Sequence, residues 1–324
     1  METRRDVALV TGATGFAGTH LMRELERTTS WDLVGLSQRA RPASGRATLL
    51  TCDLLDADLV RRVFERWRPT IVVHLAAQTY VPKSFASPAA TLTNNILAQL
   101  HVLEACRALD NAPLVLVVGS SEEYGHVRPD ELPITERQPF RPGNPYAVSK
   151  VTQDMLGLQY FLAHGLRVVR VRPFNHCGPG QSDRFVLANF ARQVVEAELE
   201  RIEPVILTGD LSAERDFLDV RDVARAYRLA IEHGVPGEVY NIASGRSYAI
   251  GTLLDKLIAL GAAPVTVKTD PTRLRPSDTP RVVGDASAFR QATGWEPAIS
   301  IDQSLHDIVA DWRARLAAPH SAMA

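Results

Sequence analysis

Val7-Ala8-Leu9-Val10-Thr11-Gly12-Ala13-Thr14-Gly15-Phe16-Ala17-Gly18 is the stretch on which the reading of this 324-residue chain turns. Val7–Thr11 is short, apolar and rich in β-branched side chains, which predicts a buried strand. Glycines follow at 12, 15 and 18, and a helical pattern continues through Leu21, Leu25 and Arg27. Strand, glycine turn and helix in that order let the backbone approach a pyrophosphate, whose charge then rests on the amides of the helix N-terminus. Gly12, Thr14, Gly15, Phe16, Ala17 and Gly18 are therefore expected to line a dinucleotide. The spacing is GxxGxxG, with one residue more between the first two glycines than in GxGxxG. On spacing alone a structural tight turn would explain it equally well; the position between strand and helix favours the phosphate site.

Working outward, Leu33–Leu36, Thr48–Cys52, Ile71–Leu75, Leu114–Gly119 and Arg167–Arg172 are further short apolar runs. They alternate with helical patterns, which predicts an α/β fold with a Rossmann-type doubly wound parallel sheet. Thr91–Leu109 sets Leu92, Ile96, Leu100 and Leu103 on one helical stripe, and Tyr146–Leu162 does the same with Val148, Val151, Met155, Leu158 and Leu162. Both stripes are expected to be buried. After residue 173 the pattern loosens into Gly-, Pro- and Asn-rich loops. Residues 1–173 are expected to bind the dinucleotide, and 174–315 to form a smaller C-terminal substrate-binding domain, with 216–242 returning to the first.

Apolar residues make up 45% of the chain and charged ones 23%, ordinary values for a globular protein. A net charge of −1 provides no basic footprint for nucleic acid or an anionic membrane. Cys52, Cys106 and Cys177 are widely spaced and odd in number, which disfavours disulfides and zinc and suits a reducing cytoplasm. His74, His101, His126 and His176 lack the short spacing of a metal motif, so no metal is expected.

Cofactor choice is read after the second strand, where an acidic side chain would bind the ribose 2′-hydroxyl of NAD and repel a 2′-phosphate. Leu33–Cys52 contains no Asp or Glu, and Ser37-Gln38-Arg39-Ala40-Arg41 offers a hydroxyl and guanidinium groups instead. These suit the phosphate of NADP(H), although they could also be a solvated basic loop. Asp53, at the end of the third strand, could accept from an adenine amino group or cap the helix beginning near Asp56.

Tyr146 and Lys150 stand four residues apart near the start of a predicted helix and so project from one face. A phenol is a poor base at neutral pH, but a neighbouring ammonium should lower its pKa and make Tyr146 a proton donor or acceptor for a carbonyl/alcohol pair. YxxxK is common on helices. What raises its weight is Ser120-Ser121-Glu122-Glu123-Tyr124-Gly125, placed directly after the strand Leu114–Gly119. The carboxyl ends of strands are where open α/β sheets hold ligands, and a serine there could orient a carbonyl. A plain polar turn remains the alternative.

Together with His74-Leu75-Ala76-Ala77, Pro145-Tyr146-Ala147-Val148-Ser149-Lys150 and Arg172-Pro173-Phe174-Asn175, these motifs resemble the extended short-chain dehydrogenase/reductase family of nucleotide-sugar enzymes, over roughly residues 7 to 313. The resemblance implies Ser120, Glu122, Tyr146 and Lys150 as catalytic positions, with Lys150 also holding the nicotinamide ribose. It adds Leu54, Leu75, Ala76, Ala77 and Pro173 to the cofactor site. On the substrate side it implies Ser84, Ser121, Asn175, Val186, Arg215, Arg275 and Asp278, the arginines gripping a diphosphate. A surface ion pair is the competing reading for such arginines, above all for Arg221 and Arg273. A homodimer through the two helices above is also implied.

Within that family, Pro173–Gln181, Arg215-Asp216-Phe217 and Leu274-Arg275-Pro276-Ser277-Asp278 are similar to the bacterial GDP-4-keto-6-deoxymannose reductases. The expectation is NADPH-dependent reduction of the C4 keto group of a GDP-4-keto-6-deoxy-hexose, giving a GDP-6-deoxy-hexose such as GDP-rhamnose. Glu122 also matches the acid/base glutamate of the related GDP-mannose 4,6-dehydratases, so a dehydratase or epimerase stays open, as does a protein that senses NADP(H) without turnover. His176 is a further candidate acid, though a lone histidine in a polar loop is more often structural.

Overall fold

A computed structural model describes residues 5–39, 45–273 and 279–317. The chain runs β1 (Val7–Thr11), α1 (Phe16–Thr28), β2 (Asp32–Ser37), β3 (Thr48–Thr51), α2 (Ala57–Trp67), β4 (Ile71–His74), α3 (Val81–Ala86), α4 (Pro88–Arg107), β5 (Leu114–Val118), α5 (Pro145–His164) and β6 (Arg167–Pro173). It continues through β7 (Asn175–Cys177), α6 (Val186–Glu198), β8 (Val205–Thr208), β9 (Glu214–Asp219), α7 (Val220–His233), β10 (Val239–Ile242) and β11 (Ser247–Ala249). Last come α8 (Ile250–Ala259), β12 (Thr266–Thr269), α9 (Ser287–Thr293) and α10 (Ile301–Ala317).

Seven strands form one sheet in the order β3-β2-β1-β4-β5-β6-β10, with every pairing parallel. Every residue of β1, β4 and β5 is buried, as expected where helices cover both faces. Alternation divides them between two cores: Ala8, Val10, Leu116 and Val118 pack with Leu21, Leu25, Val223 and Tyr227, while Leu9, Val115 and Val117 pack with Phe64, Val102 and Leu103. Strand order reverses between β1 and β4, where Thr11 lies in register with both Leu36 and His74. That reversal opens a crevice at the carboxyl ends of the strands.

The late segments divide. α7 and β10 belong to the large sheet and its helical cover, and Arg228 of α7 pairs with Glu24 of α1 at 3.1 Å. β7, β9 and β11 form a separate three-stranded sheet, β8 and β12 pair on their own, and Leu187, Phe190, Leu254, Leu305 and Trp312 fill a third core.

The apolar stripe of α5 corrects the sequence reading. Val148, Met155 and Leu162 are 41%, 38% and 72% exposed, while Ser149, Lys150, Gln153 and Asp154 are buried. The cause is what α5 packs on. Asn95 of α4 donates to Ser149 Oγ at 2.9 Å, Gln99 donates to the Gln153 carbonyl at 2.6 Å, and Asp154 lies against Arg170 and Arg172 of β6. With partners for every charge, the polar face goes inward. On α4, Leu103 is fully buried, while Leu92, Ile96 and Leu100 are only partly so.

Candidate active site

Beyond β5 the chain makes a 3₁₀ turn, Ser121–Glu123, with Ser120 as its cap. Ser120 Oγ accepts from the Glu122 amide at 3.2 Å, and the Ser120 amide donates to Glu123 Oε1 at 2.7 Å. This reciprocal pair fixes both ends of the turn. Across from it, Asn144 caps α5 by accepting from the Ala147 amide at 2.8 Å, and its side-chain amide donates to Glu122 Oε2 at 3.0 Å. One asparagine thus ties the Ser120 turn to the helix that carries Tyr146 in its first turn and Lys150 in its second. Ser120, Tyr146 and Lys150 are 9%, 8% and 4% exposed.

Burial raises the pKa of the Tyr146 phenol, a hydrogen bond with Ser120 pulls it down, and the charges of Glu122 and Glu123 push it up. The sequence reading expected the Lys150 ammonium to depress this phenol. Instead Lys150 Nζ donates to the Val118 carbonyl at 2.8 Å, and burial dominates. Tyr146 is consequently held protonated at neutral pH, the form that can donate a proton. Burial lowers the Lys150 pKa to about 8, against the opposing pull of Glu123.

The glycine turn stands at the crevice. Gly12 has φ +68°, and a Cβ on it would lie 2.9 Å from the Ala76 amide nitrogen; one on Gly18 would lie 2.1 Å from the Gly12 carbonyl oxygen. Only glycine fits either place. α1 begins with Gly15 at its cap, no side-chain cap bond and no acidic residue in its first turn, so the N-terminal amides of Phe16, Ala17 and Gly18 face a site suited to an anion. Thr11 Oγ1 accepts from the amides of Leu75 and Ala76, both at 3.2 Å, which holds Leu75, Ala76 and Ala77 beside the turn. Thr14 and Ser37 hydroxyls meet at 2.8 Å, and Ser37 donates to the Arg39 carbonyl at 2.9 Å. Arg39 is exposed and has no ion pair among the described residues, leaving its guanidinium available to a phosphate. Of the two readings of Asp53, capping falls away: Asp56 accepts from Leu59 and caps α2, whereas Asp53 accepts from Leu55 and stays exposed, next to buried Leu54. Pro173 ends β6, in register with Ile242. These residues fit a dinucleotide.

Of the residues expected on the substrate side, Ser84 is buried and donates to the Val81 carbonyl at 2.7 Å, Ser121 opens the 3₁₀ turn, Asn175 opens β7, and Val186 opens α6 with its side chain exposed. Arg215 donates to the carbonyls of Glu214 (2.8 Å) and Pro280 (3.4 Å), and among the described residues it has no carboxylate in contact. Burial lowers its pKa, and the charge of Glu122 opposes that. Arg221 and Arg273 differ: the first pairs with Asp219 and Asp307, each at 2.7 Å, and the second with Asp270 at 3.4 Å. Arg275 and Asp278, like Ala40 and Arg41, lie outside the described residues. His176 stacks on Phe16 at the start of α1 (centroids 6.0 Å, planes 8° apart), and its Nδ1 lies 3.1 Å from the Phe174 carbonyl oxygen.

Sequence reasoning passed over three groups. Asn144 carried a signal, an Asn before Pro at a helix start. Glu123 and Asp154 did not, because their partner Arg172 is 49 and 18 residues away along the chain.

A family profile described as GDP-mannose 4,6 dehydratase matches residues 9–308. The GDP-6-deoxy-D-mannose reductase of Pseudomonas aeruginosa is 39% identical over 308 residues, 95% of this chain and 97% of that protein. A GDP-mannose 4,6-dehydratase of Vibrio cholerae is 26% identical over 348 residues, covering 93% and 92%. The solved structure of RMD from Pseudomonas aeruginosa complexed with NADPH superposes with a TM-score of 0.86 at 38% identity, over 95% of this chain and 99% of that one.

Proposed function

This chain belongs to the GDP-mannose 4,6 dehydratase family of extended short-chain dehydrogenases/reductases, and from that premise we propose that it is an NADPH-dependent reductase of the C4 keto group of a GDP-4-keto-6-deoxy-hexose. The product is a GDP-6-deoxy-hexose such as GDP-rhamnose. The observation that carries this reading is the 39% identity to a reductase against 26% to a dehydratase, each over more than nine-tenths of the chain.

Bound in the crevice, NADPH supplies the hydride. Ser120 orients the keto oxygen, Tyr146 donates the proton to it, and Lys150 holds the ribose and the charge behind the phenol. The turn from Gly12 to Gly18 receives the pyrophosphate, Ser37 and Arg39 the 2′-phosphate, and Asp53 and Leu54 the adenine. Leu75, Ala76, Ala77 and Pro173 wall the nicotinamide half. Ser84, Ser121, Asn175, Val186, Arg215, Arg275 and Asp278 take the nucleotide sugar. In this division, residues 1–173 with 216–242 serve the dinucleotide and 174–315 mainly the sugar nucleotide.

We further infer a homodimer through α4 and α5, whose outer faces show Leu97, Val148, Met155 and Leu162. Three unpaired, buried cysteines suit the reducing cytoplasm. Purified protein supplied with GDP-4-keto-6-deoxymannose and NADPH tests the function. The reading requires one NADPH oxidised per sugar reduced; conversion of GDP-mannose to a keto product without net cofactor change would replace it with a dehydratase.

A further inference from the structure

Below Ser120 and Lys150 lies a buried ionic array whose members come from distant parts of the chain. Arg172 Nε is 2.8 Å from Asp154 Oδ2 and 3.1 Å from Glu123 Oε2, and Arg170 is 2.6 Å from Asp154 Oδ1. Arg172 also donates to the Tyr124 hydroxyl at 3.0 Å and the Glu136 carbonyl at 3.1 Å, and Tyr124 donates to Asn241 at 2.6 Å. Glu123 is fully buried. Its Oε1 holds the Ser120 amide, while its Oε2 has no hydrogen-bond donor of its own, because the Nε proton of Arg172 points to Asp154. Gly119 leaves the space: a Cβ there would stand 2.2 Å from Glu123 Oε1.

Two carboxylates thus share two guanidiniums, and Lys150 brings a third buried cation. With Asp154 alone ionised, the array would hold three positive charges against one negative, and unpaired buried charge is costly. Glu123 is the group placed to reduce that excess. Burial and the Asp154 charge raise its pKa well above the ordinary carboxylate value, against the pull of Arg172, the Ser120 amide and Lys150. It is the surplus of buried cations around it that favours its ionised form. Facing Lys150 from β4 is His74, kept neutral by burial with its pKa lowered to about 3, so it adds no compensating charge. Tyr146, on the same helix, is protonated, which leaves Glu123 as the acid in electrostatic contact with Lys150.

We propose that Glu123 is a positioning residue for the reduction: its carboxylate fixes the amide of Ser120, and so the hydroxyl beside Tyr146, and supplies the negative charge that faces the Lys150 ammonium. The kinetic part of this inference rests on the reductase reading; the electrostatic part does not.

The chain contains four lysines, of which Lys83, Lys256 and Lys268 are exposed. Lysine-selective ¹³C labelling of the cofactor-free protein therefore gives four signals, and the buried one can be followed as pH rises. Its midpoint in the native protein is expected near 8. In Glu123→Gln, which keeps an acceptor for Ser120 but removes the charge, the midpoint should fall by about one unit, a tenfold change in proton affinity. The alkaline limb of kcat should move down with it, while KM for NADPH changes less than about twofold. Glu123→Asp keeps the charge and shortens the reach, so the midpoint should hold while kcat falls about tenfold. A Lys150 midpoint unmoved in Glu123→Gln overturns the electrostatic role, and native kcat in Glu123→Asp overturns the Ser120 role. If the glutamine variant does not fold, the aspartate variant still decides the Ser120 role, and native-protein titration decides the other: a Lys150 midpoint well below 8, the mark of a buried ammonium with no negative charge facing it, overturns it. Should the native protein fail to reduce the sugar, the functional reading falls, and the lysine titration still tests Glu123.

Discussion

The floor of the crevice and its substrate-side rim are built on opposite electrostatic plans. On the floor, Arg170 and Arg172 meet Asp154 and Glu123 within 2.6 to 3.1 Å, all four side chains being nearly or fully buried. On the rim, Arg215 donates to the backbone carbonyls of Glu214 and Pro280, and among the described residues neither it nor Arg39, across the dinucleotide half, has an ion pair. A floor whose charges are already paired is assembled before any ligand arrives and holds Ser120, Tyr146 and Lys150 in place. Under the proposed function, rim cations with no carboxylate among the described residues would be completed by the ligand's own phosphates. Substitutions on the floor should therefore act mainly on kcat, and substitutions on the rim mainly on KM or Kd.

The largest effect belongs to the floor. Tyr146→Phe should lower kcat by roughly 10²–10⁴, the usual contribution of a positioned proton donor, with NADPH affinity by fluorescence titration nearly unchanged. Near-native turnover would mean that the proton comes from elsewhere and would break the comparison. Next comes the rim: Arg215→Ala should raise KM for the sugar nucleotide by about 10- to 100-fold, the worth of a charge-assisted hydrogen bond, with a smaller change in kcat. A loss confined to kcat would place Arg215 with the floor.

Arg39→Ala should weaken NADPH binding by about tenfold and leave NADH binding unaltered, since only NADPH carries the 2′-phosphate. Equal losses for both cofactors would reduce Arg39 to a solvated charge. The smallest effect should come from Glu122→Gln, which sits between floor and rim, bound to Asn144 and facing Arg215. In a reductase it should cost less than about tenfold, because proton donation by Tyr146 needs no second carboxylate. Complete loss of activity would instead assign Glu122 the acid/base role of a dehydratase.

The fold was legible because its signals are local. Val7–Thr11 matches β1 to the residue, and the other five runs read as strands match theirs to within about one residue at either end. The positions of the glycine turn, Ser120, Tyr146 and Lys150 were legible for the same reason, each lying in a short motif next to a predicted element, and the structure puts them at the start of α1, after β5 and in the first two turns of α5. What the sequence hid was long-range pairing. α5 looks amphipathic with Val148, Met155 and Leu162 inward, yet those three face out, because its polar side finds Asn95 and Gln99 on α4 and two arginines on β6. Periodicity identifies an apolar stripe, and it cannot say whether the sheet or a second subunit covers it. Glu123 was obscured by Glu122 beside it: in sequence they form one acidic turn, while in space one faces the substrate side and the other is enclosed with Arg172.

The claim on which the account depends is that hydride from the bound cofactor ends on C4 of the sugar, with Tyr146 supplying the proton. NADPH deuterated at the transferable position of the nicotinamide, turned over with GDP-4-keto-6-deoxymannose, tests this directly when the product is read by NMR. The account predicts one deuterium at C4 for each NADPH consumed, with the label absent from C6. Product without deuterium, or NADPH left unconsumed while the sugar changes, would contradict it and return the chain to the dehydratases or epimerases.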